Sequence, residues 1–142
     1  MDQVNIFLNY IRRFPLAKQF IKFCLIGGTS ALINFLLYYF ITERFFVWYV
    51  YSSIISFLIS AIFNFSFNKL WTFRDSEMGY LVFQQIGKYA AVMGSGLFFN
   101  TLIIYGLTDG VGFDYRLSWV FATGLVTFWN FSFNRLWTFR RR

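Results

Sequence analysis

The chain has no histidine, one cysteine, one proline and only six acidic residues among 142. Without histidine, neither a Ser-His-Asp nor a Cys-His nucleophile can be assembled. The common zinc and iron sites lose their ligands for the same reason. Cys24 alone closes no internal disulfide, so redox compartment is not legible. No cofactor is expected.

What is abundant is apolar and aromatic. Hydrophobic residues make up 58% and aromatics 25% of the chain, against roughly 45–50% apolar residues in soluble domains. A water-soluble core of this length would leave too many aromatic side chains in solvent. Uncharged runs cover Phe23–Thr42, Phe45–Asn68, Tyr89–Thr108 and Leu117–Asn134, which are 20, 24, 20 and 18 residues long. A helix of about 20 residues crosses a hydrocarbon layer of about 30 Å. Continuous apolar runs argue for helices over alternating barrel strands. The expected fold is an all-α integral membrane protein with four transmembrane helices, near residues 23–42, 46–68, 89–108 and 117–134.

The net charge is +7, and its placement matters more than its size. Arg12, Arg13, Lys18, Lys22, Lys69, Arg74, Lys88, Arg135, Arg140, Arg141 and Arg142 fall on one side of the four runs; Arg44 and Arg116 fall on the other. The positive-inside bias then puts both termini in the cytoplasm of a multi-pass protein of the inner (plasma) membrane. Membrane topology accounts for the charge, and no nucleic-acid partner is expected. The first run is too long and too far from the start for a cleaved signal peptide. Before it, Val4, Phe7, Leu8 and Ile11 recur at helical spacing. Residues 1–19 therefore read either as an amphipathic interfacial segment, its helix ended near Pro15, or as a frayed tail.

The chain repeats itself. Asn64–Arg74 reads NFSFNKLWTFR and Asn130–Arg140 reads NFSFNRLWTFR, ten of eleven positions being identical at an offset of 66. The same offset aligns Lys22 with Lys88, Gly28 with Gly94, Asn34 with Asn100 and Glu43 with Asp109. Two two-helix repeats follow, residues 20–74 and 75–142, of one membrane domain spanning residues 1–142. Each has an even number of spans, so both enter from the same side as parallel repeats, not inverted ones. Between Lys22–Thr42 and Lys88–Thr108 only six of 21 positions match. The near-identity is thus confined to the end of the second helix, where something beyond hydrophobicity is required.

Several residues there suit chemistry. Ser52, Ser56, Ser60, Asn64 and Asn68 recur every fourth residue and form one polar helix face. For the serines, helix packing is the reading. For Asn64, Asn68, Asn130 and Asn134, interhelical hydrogen bonding and the lining of a site for hydroxyl- or phosphate-bearing ligands stand side by side. Lys22, Lys88, Lys69, Arg135, Arg74 and Arg140 serve topology and anionic lipid, or clamp a phosphate. Trp71 and Trp137 belong to an interfacial aromatic belt or stack on a sugar face. Asn34 and Asn100, near mid-bilayer, act as interhelical glue or as contacts on a translocation path. Gly27, Gly28, Ala31, Ala90, Gly94 and Gly96 are expected to let helices approach closely. No run holds a charge in its interior. The embedded carboxylate of small four-helix multidrug exporters, and of proton-coupled antiport in general, is therefore missing.

The doubled NFxxNxxWTFR signature on four short spans resembles the GtrA-like family, over about Phe20 to Arg140. The resemblance implies translocation of a polyprenyl-phosphate-linked monosaccharide from the cytoplasmic to the outer leaflet. A separate membrane glycosyltransferase then adds the sugar to a cell-surface polysaccharide. The phosphate would meet Lys22, Lys69, Lys88, Arg74, Arg135 and Arg140, and the sugar hydroxyls Asn64, Asn68, Asn130 and Asn134. Two strong signatures imply two near-equivalent half-sites. A homo-oligomer is compatible with the small volume four helices enclose. The other class of reading is a scaffold that recruits or stabilises a glycosyltransferase and moves nothing; a catalytic transferase lacks a base in the membrane.

Overall fold

The computed structural model describes Phe14–Arg140, and every regular element in that range is helical. Val4, Phe7, Leu8, Ile11, Arg12 and Arg13 of the amphipathic segment, and Arg141 and Arg142, lie outside the described residues. The chain divides into two compact units, residues 1–76 and 77–142.

In the first unit, helix α1 runs Pro15–Phe45. Pro15 opens this helix: its ring presets φ, and its missing N–H is not needed in a first turn. Residues 15–19, grouped by sequence with the interfacial segment, thus continue into the first apolar helix. Phe46, at φ 52°, ends α1 in the left-handed conformation. Helix α2 follows at Tyr49–Phe67 after three residues, so the two form a helical hairpin. The start of α1 meets the segment just beyond α2, with the Phe23 and Phe73 ring centroids 6.3 Å apart.

The second unit repeats the plan with α3 (Tyr80–Tyr105) and α4 (Tyr115–Phe133). Its counterpart ring contact joins Tyr89 and Phe139 at 6.2 Å. The connection between its helices is built differently. α3 passes into a π-helical turn at Gly106–Gly110, and Gly112 takes φ 81°. Asp114 then caps α4 by accepting the Arg116 N–H at 2.8 Å.

Three helical segments are long and apolar enough to cross a membrane: Pro15–Phe45, Val50–Thr72 and Tyr80–Gly110. Sequence expects a fourth in α4. That helix forms, but Arg116, Thr123, Thr127, Asn130 and Ser132 dilute its apolar character.

Burial runs opposite to a water-soluble protein. The largest fully buried side chains are Asn68, Asn134, Thr72, Ser52, Ser56 and Ser118, whereas Leu25, Phe35, Phe57, Phe98, Leu125 and Phe128 are exposed. Lipid tails solvate apolar side chains as well as a protein interior does, so helices in a bilayer turn their small and polar faces inward. With its three apolar spans, this distribution makes the chain a multi-pass membrane protein. The inward serines bond to their own helix: Ser56 Oγ donates to the Ser53 carbonyl at 3.1 Å and Ser60 Oγ to the Phe57 carbonyl at 3.0 Å. Their polarity is satisfied locally, in keeping with the packing reading.

The glycines divide. A Cβ on Gly27, Gly28 or Gly94 would meet nothing within 4 Å, so these three are not points of close helix approach in the fold. Gly96 is one. A Cβ there would run into the Asn130 amide, with Nδ2 at 2.9 Å.

Candidate functional site

The repeated motif folds into a local device in both units. α2 does not stop at Phe67 but widens into a π-helical turn over Asn68–Thr72, and α4 does the same over Asn134–Thr138. The Phe73 N–H reaches back five residues to the Asn68 carbonyl at 2.9 Å, and Phe139 reaches the Asn134 carbonyl at 2.8 Å. Such wide turns occur often at functional sites, because they free backbone groups and re-aim side chains. Here the turn carries the indole of the motif out to an exposed position, with Trp71 and Trp137 about half exposed. The threonine one residue on, Thr72 or Thr138, is buried.

Both indoles lie beneath a lysine from the facing helix. Lys22 Nζ stands 4.5 Å from the Trp71 ring centroid and donates to the Trp71 carbonyl at 3.3 Å. Lys88 Nζ stands 5.6 Å from the Trp137 ring. A cation over an indole face is held by the ring quadrupole. Lys22 with Trp71 and Lys88 with Trp137, singled out separately by sequence, are therefore brought together, each pair within its own unit.

The asparagines behave differently in the two units. In the first, Asn68 Nδ2 donates to Asn64 Oδ1 at 2.6 Å, and Thr72 Oγ1 donates to Asn68 Oδ1 at 3.0 Å. Asn68 is fully buried and engaged at both ends of its amide. Beside it Lys69 and Asp75, both buried, form an ion pair at 2.6 Å. In the second unit Asn130 Oδ1, both amide atoms of Asn134 and Thr138 Oγ1 are buried with no hydrogen-bond partner. Arg135, the counterpart of Lys69, is exposed.

A cleft of about 470 Å³ opens at this end of the second unit, lined by Glu77, Gln84, Gln85, Lys88, Trp137, Thr138 and Arg140 among others. Two cations, one carboxylate, two side-chain amides, a hydroxyl and an indole line it. That set suits a ligand with an anionic group, several hydroxyls and a flat apolar face. Among the described residues no cluster of His, Cys, Asp and Glu could hold a metal ion.

Other predicted residues stand elsewhere. Asn34 and Asn100 are half-buried, about 18 Å along their helices from Lys22 and Lys88 respectively. Arg74 is exposed at φ 51°. Sequence reading passed over Thr72 and Thr138, although both sit inside the motif, four residues after an asparagine. It also passed over Asp75, Glu77, Gln84 and Gln85, which lie outside the motif and carry no local pattern.

Among curated proteins no significant match is found. The family model described as GtrA/DPMS, transmembrane domain, matches residues 22–139. That match begins at Lys22, ends at Phe139 and takes in both lysine–tryptophan pairs and both π-helical turns. The chain belongs to the GtrA/DPMS transmembrane-domain family, which ties it to lipid-linked sugars and membrane lipids.

Proposed function

We propose that the protein is a flippase that carries a polyprenyl-phosphate-linked monosaccharide from the cytoplasmic to the outer leaflet of the inner membrane, for use by a surface-polysaccharide glycosyltransferase. The observation that carries this reading is the cleft of the second unit. Lys88 and Arg140 suit the phosphate, the Trp137 ring suits a sugar face, and Thr138 offers a buried hydroxyl without a partner. The polyprenyl tail stays in lipid against the exposed aromatic exterior. α4 crosses the membrane as the fourth span beside α3, and both termini are cytoplasmic by the positive-inside bias. No chemistry is performed on the ligand. The span interiors hold no charged side chain, so transport runs uncoupled, driven by consumption of the lipid outside.

The test uses liposomes carrying a labelled polyprenyl-phosphate hexose and an external reagent that reports its exposure. Wild type accelerates exposure over empty liposomes, and Lys88→Ala/Arg140→Ala removes most of the acceleration while the protein stays folded. Wild type no faster than empty liposomes, across several sugars, ends the reading.

One observation favours a second reading, a scaffold for a membrane glycosyltransferase or for further copies of this chain. Gly27, Gly28 and Gly94 present small faces with open space above them, which suits docking of another helix. Large residues at these three positions would then break complex assembly and leave lipid exposure unchanged.

A further inference from the structure

At the offset of 66, the cleft's Lys88, Trp137 and Arg140 recur in the first unit as Lys22, Trp71 and Arg74. Glu77 and Gln84 of the same cleft do not recur: Ile11 and Lys18 stand in their places. The shared residues suit a phosphate and a ring, which every lipid-linked sugar has. The unshared ones are where a choice among sugars can be made. We propose that Glu77 selects the sugar, so that the cleft takes a hexose without an acidic group and rejects a uronic acid. The inference rests on the headgroup reading above and adds the class of sugar and the residue that decides it.

The order of side chains along the cleft follows the order of parts in such a ligand. Lys88 directly precedes the uncharged run Tyr89–Thr108, so it stands at the lipid boundary. Gln84 and Gln85 lie one turn before it on α3, about 5–6 Å along the axis. Leu81 is one turn further out, on the same helix face. Glu77 comes last, two residues before the Gly79 that precedes α3. All five line the cleft. A polyprenyl-phosphate sugar with its tail in lipid then has its phosphate level with Lys88 and its ring level with the amides. The ring's far edge points toward Glu77. Trp137 and the buried, unpartnered hydroxyl of Thr138 line the cleft from the turn after α4.

That far edge is where hexoses differ in charge. Their sixth carbon bears a hydroxyl in a neutral hexose and a carboxylate in a uronic acid. The Glu77 carboxylate accepts a hydrogen bond from a hydroxyl, whereas two carboxylates are both acceptors and share none. Glu77 is half-buried, and like charges repel more strongly there than in bulk water. Nor do the cations offset this. Lys88 and Arg140 against Glu77 leave one positive charge in the cleft, enough for the single charge of a phosphodiester and not for a second.

The experiment measures lipid binding by native mass spectrometry in detergent. The probes are C20 polyprenyl phosphates of glucose, glucuronate and glucuronamide, with C20 polyprenol as the lipid control. Glucuronamide keeps the shape of glucuronate without its charge. Wild type is expected to bind the glucose and glucuronamide lipids about tenfold more tightly than the glucuronate lipid, the order expected for two like charges at this exposure. Glu77→Gln is expected to bring all three within about threefold of one another, by tightening glucuronate binding. A gain of binding is not the mark of a damaged fold. Glu77→Ala, as a second variant, should narrow the ratio in the same way.

Equal binding of the glucose and glucuronate lipids by wild type, or a full preference kept by the variants, overturns the assignment and leaves the headgroup reading standing. Glucuronamide bound as weakly as glucuronate makes size the criterion and overturns it too. No preference for any of the three probes over polyprenol overturns the headgroup reading as well.

Discussion

Asn68 donates its amide to Asn64 across 2.6 Å while accepting from Thr72 at 3.0 Å. One side chain thereby joins the last turn of α2 to the π-helical turn after it. Replacing Asn68 with Leu leaves the Asn64 carbonyl and the Thr72 hydroxyl to find new partners in a buried place. The loss should be about 1–3 kcal/mol, the penalty of stranded buried polar groups. Thermal melting of the detergent-solubilised protein checks this, with Thr72→Val, which strands only one acceptor, expected to lose less.

Lys69 and Asp75 make a second prediction. Removing only the carboxylate, as in Asp75→Ala, strands a buried ammonium and should destabilise the first unit by about 3–5 kcal/mol. Removing both charges, as in Lys69→Met/Asp75→Ala, should restore most of the stability, because the pair offsets its own desolvation and adds little beyond that. Equal instability of the single and double variants would contradict it. Chemical unfolding of the three proteins side by side is the measurement.

Gly96 should tolerate no methyl group. A Cβ there meets the Asn130 amide, so Gly96→Ala forces either the side chain or the backbone to move, at about 1–3 kcal/mol for overpacking. Gly94→Ala, two residues earlier and open, should instead be neutral or stabilising by about 0.5–1 kcal/mol through helix propensity. The melting temperature should fall for Gly96→Ala and hold or rise for Gly94→Ala.

Trp137 should matter for the sugar more than for the phosphate. Its ring lies 5.6 Å from Lys88 Nζ and lines the cleft. Trp137→Leu is expected to reduce the preference for a hexose-bearing over a bare polyprenyl phosphate several-fold, at about 1–3 kcal/mol per stacked ring by analogy with other planar ligands. Competition binding with the two lipids reads that ratio directly. An unchanged preference would leave Trp137 as a belt residue.

Much of this protein was legible before any coordinates. The apolar runs announce helices because a bilayer-crossing backbone must satisfy itself, and the repeat announces two hairpins of the same plan. The pairing of Lys22 with Trp71 and of Lys88 with Trp137 was not legible, since a cation over a ring depends on how two helix ends meet. Helix ends were less legible: α1 and α3 extend eight or nine residues ahead of their uncharged runs, to Pro15 and Tyr80, because a helix does not stop where lipid contact stops. The expectation that small residues mark close approach held for Gly96 and not for Gly27, Gly28 or Gly94, since contact depends on which face meets a neighbour.

The asymmetry between the copies was hidden for a different reason. Ten of eleven motif residues agree, so local chemistry is the same, and sequence by itself determined the helices, the repeat and the family. Whether Asn68 or Asn134 finds a partner depends on side-chain placement across a turn, and whether Lys69 is neutralised depends on a carboxylate six residues away. Those are distances, and hydrogen bonds and ion pairs change by kilocalories over less than 1 Å. Only the tertiary structure decided that the Asn68 amide is engaged at both ends while the Asn134 amide and the Thr138 hydroxyl are buried without hydrogen-bond partners.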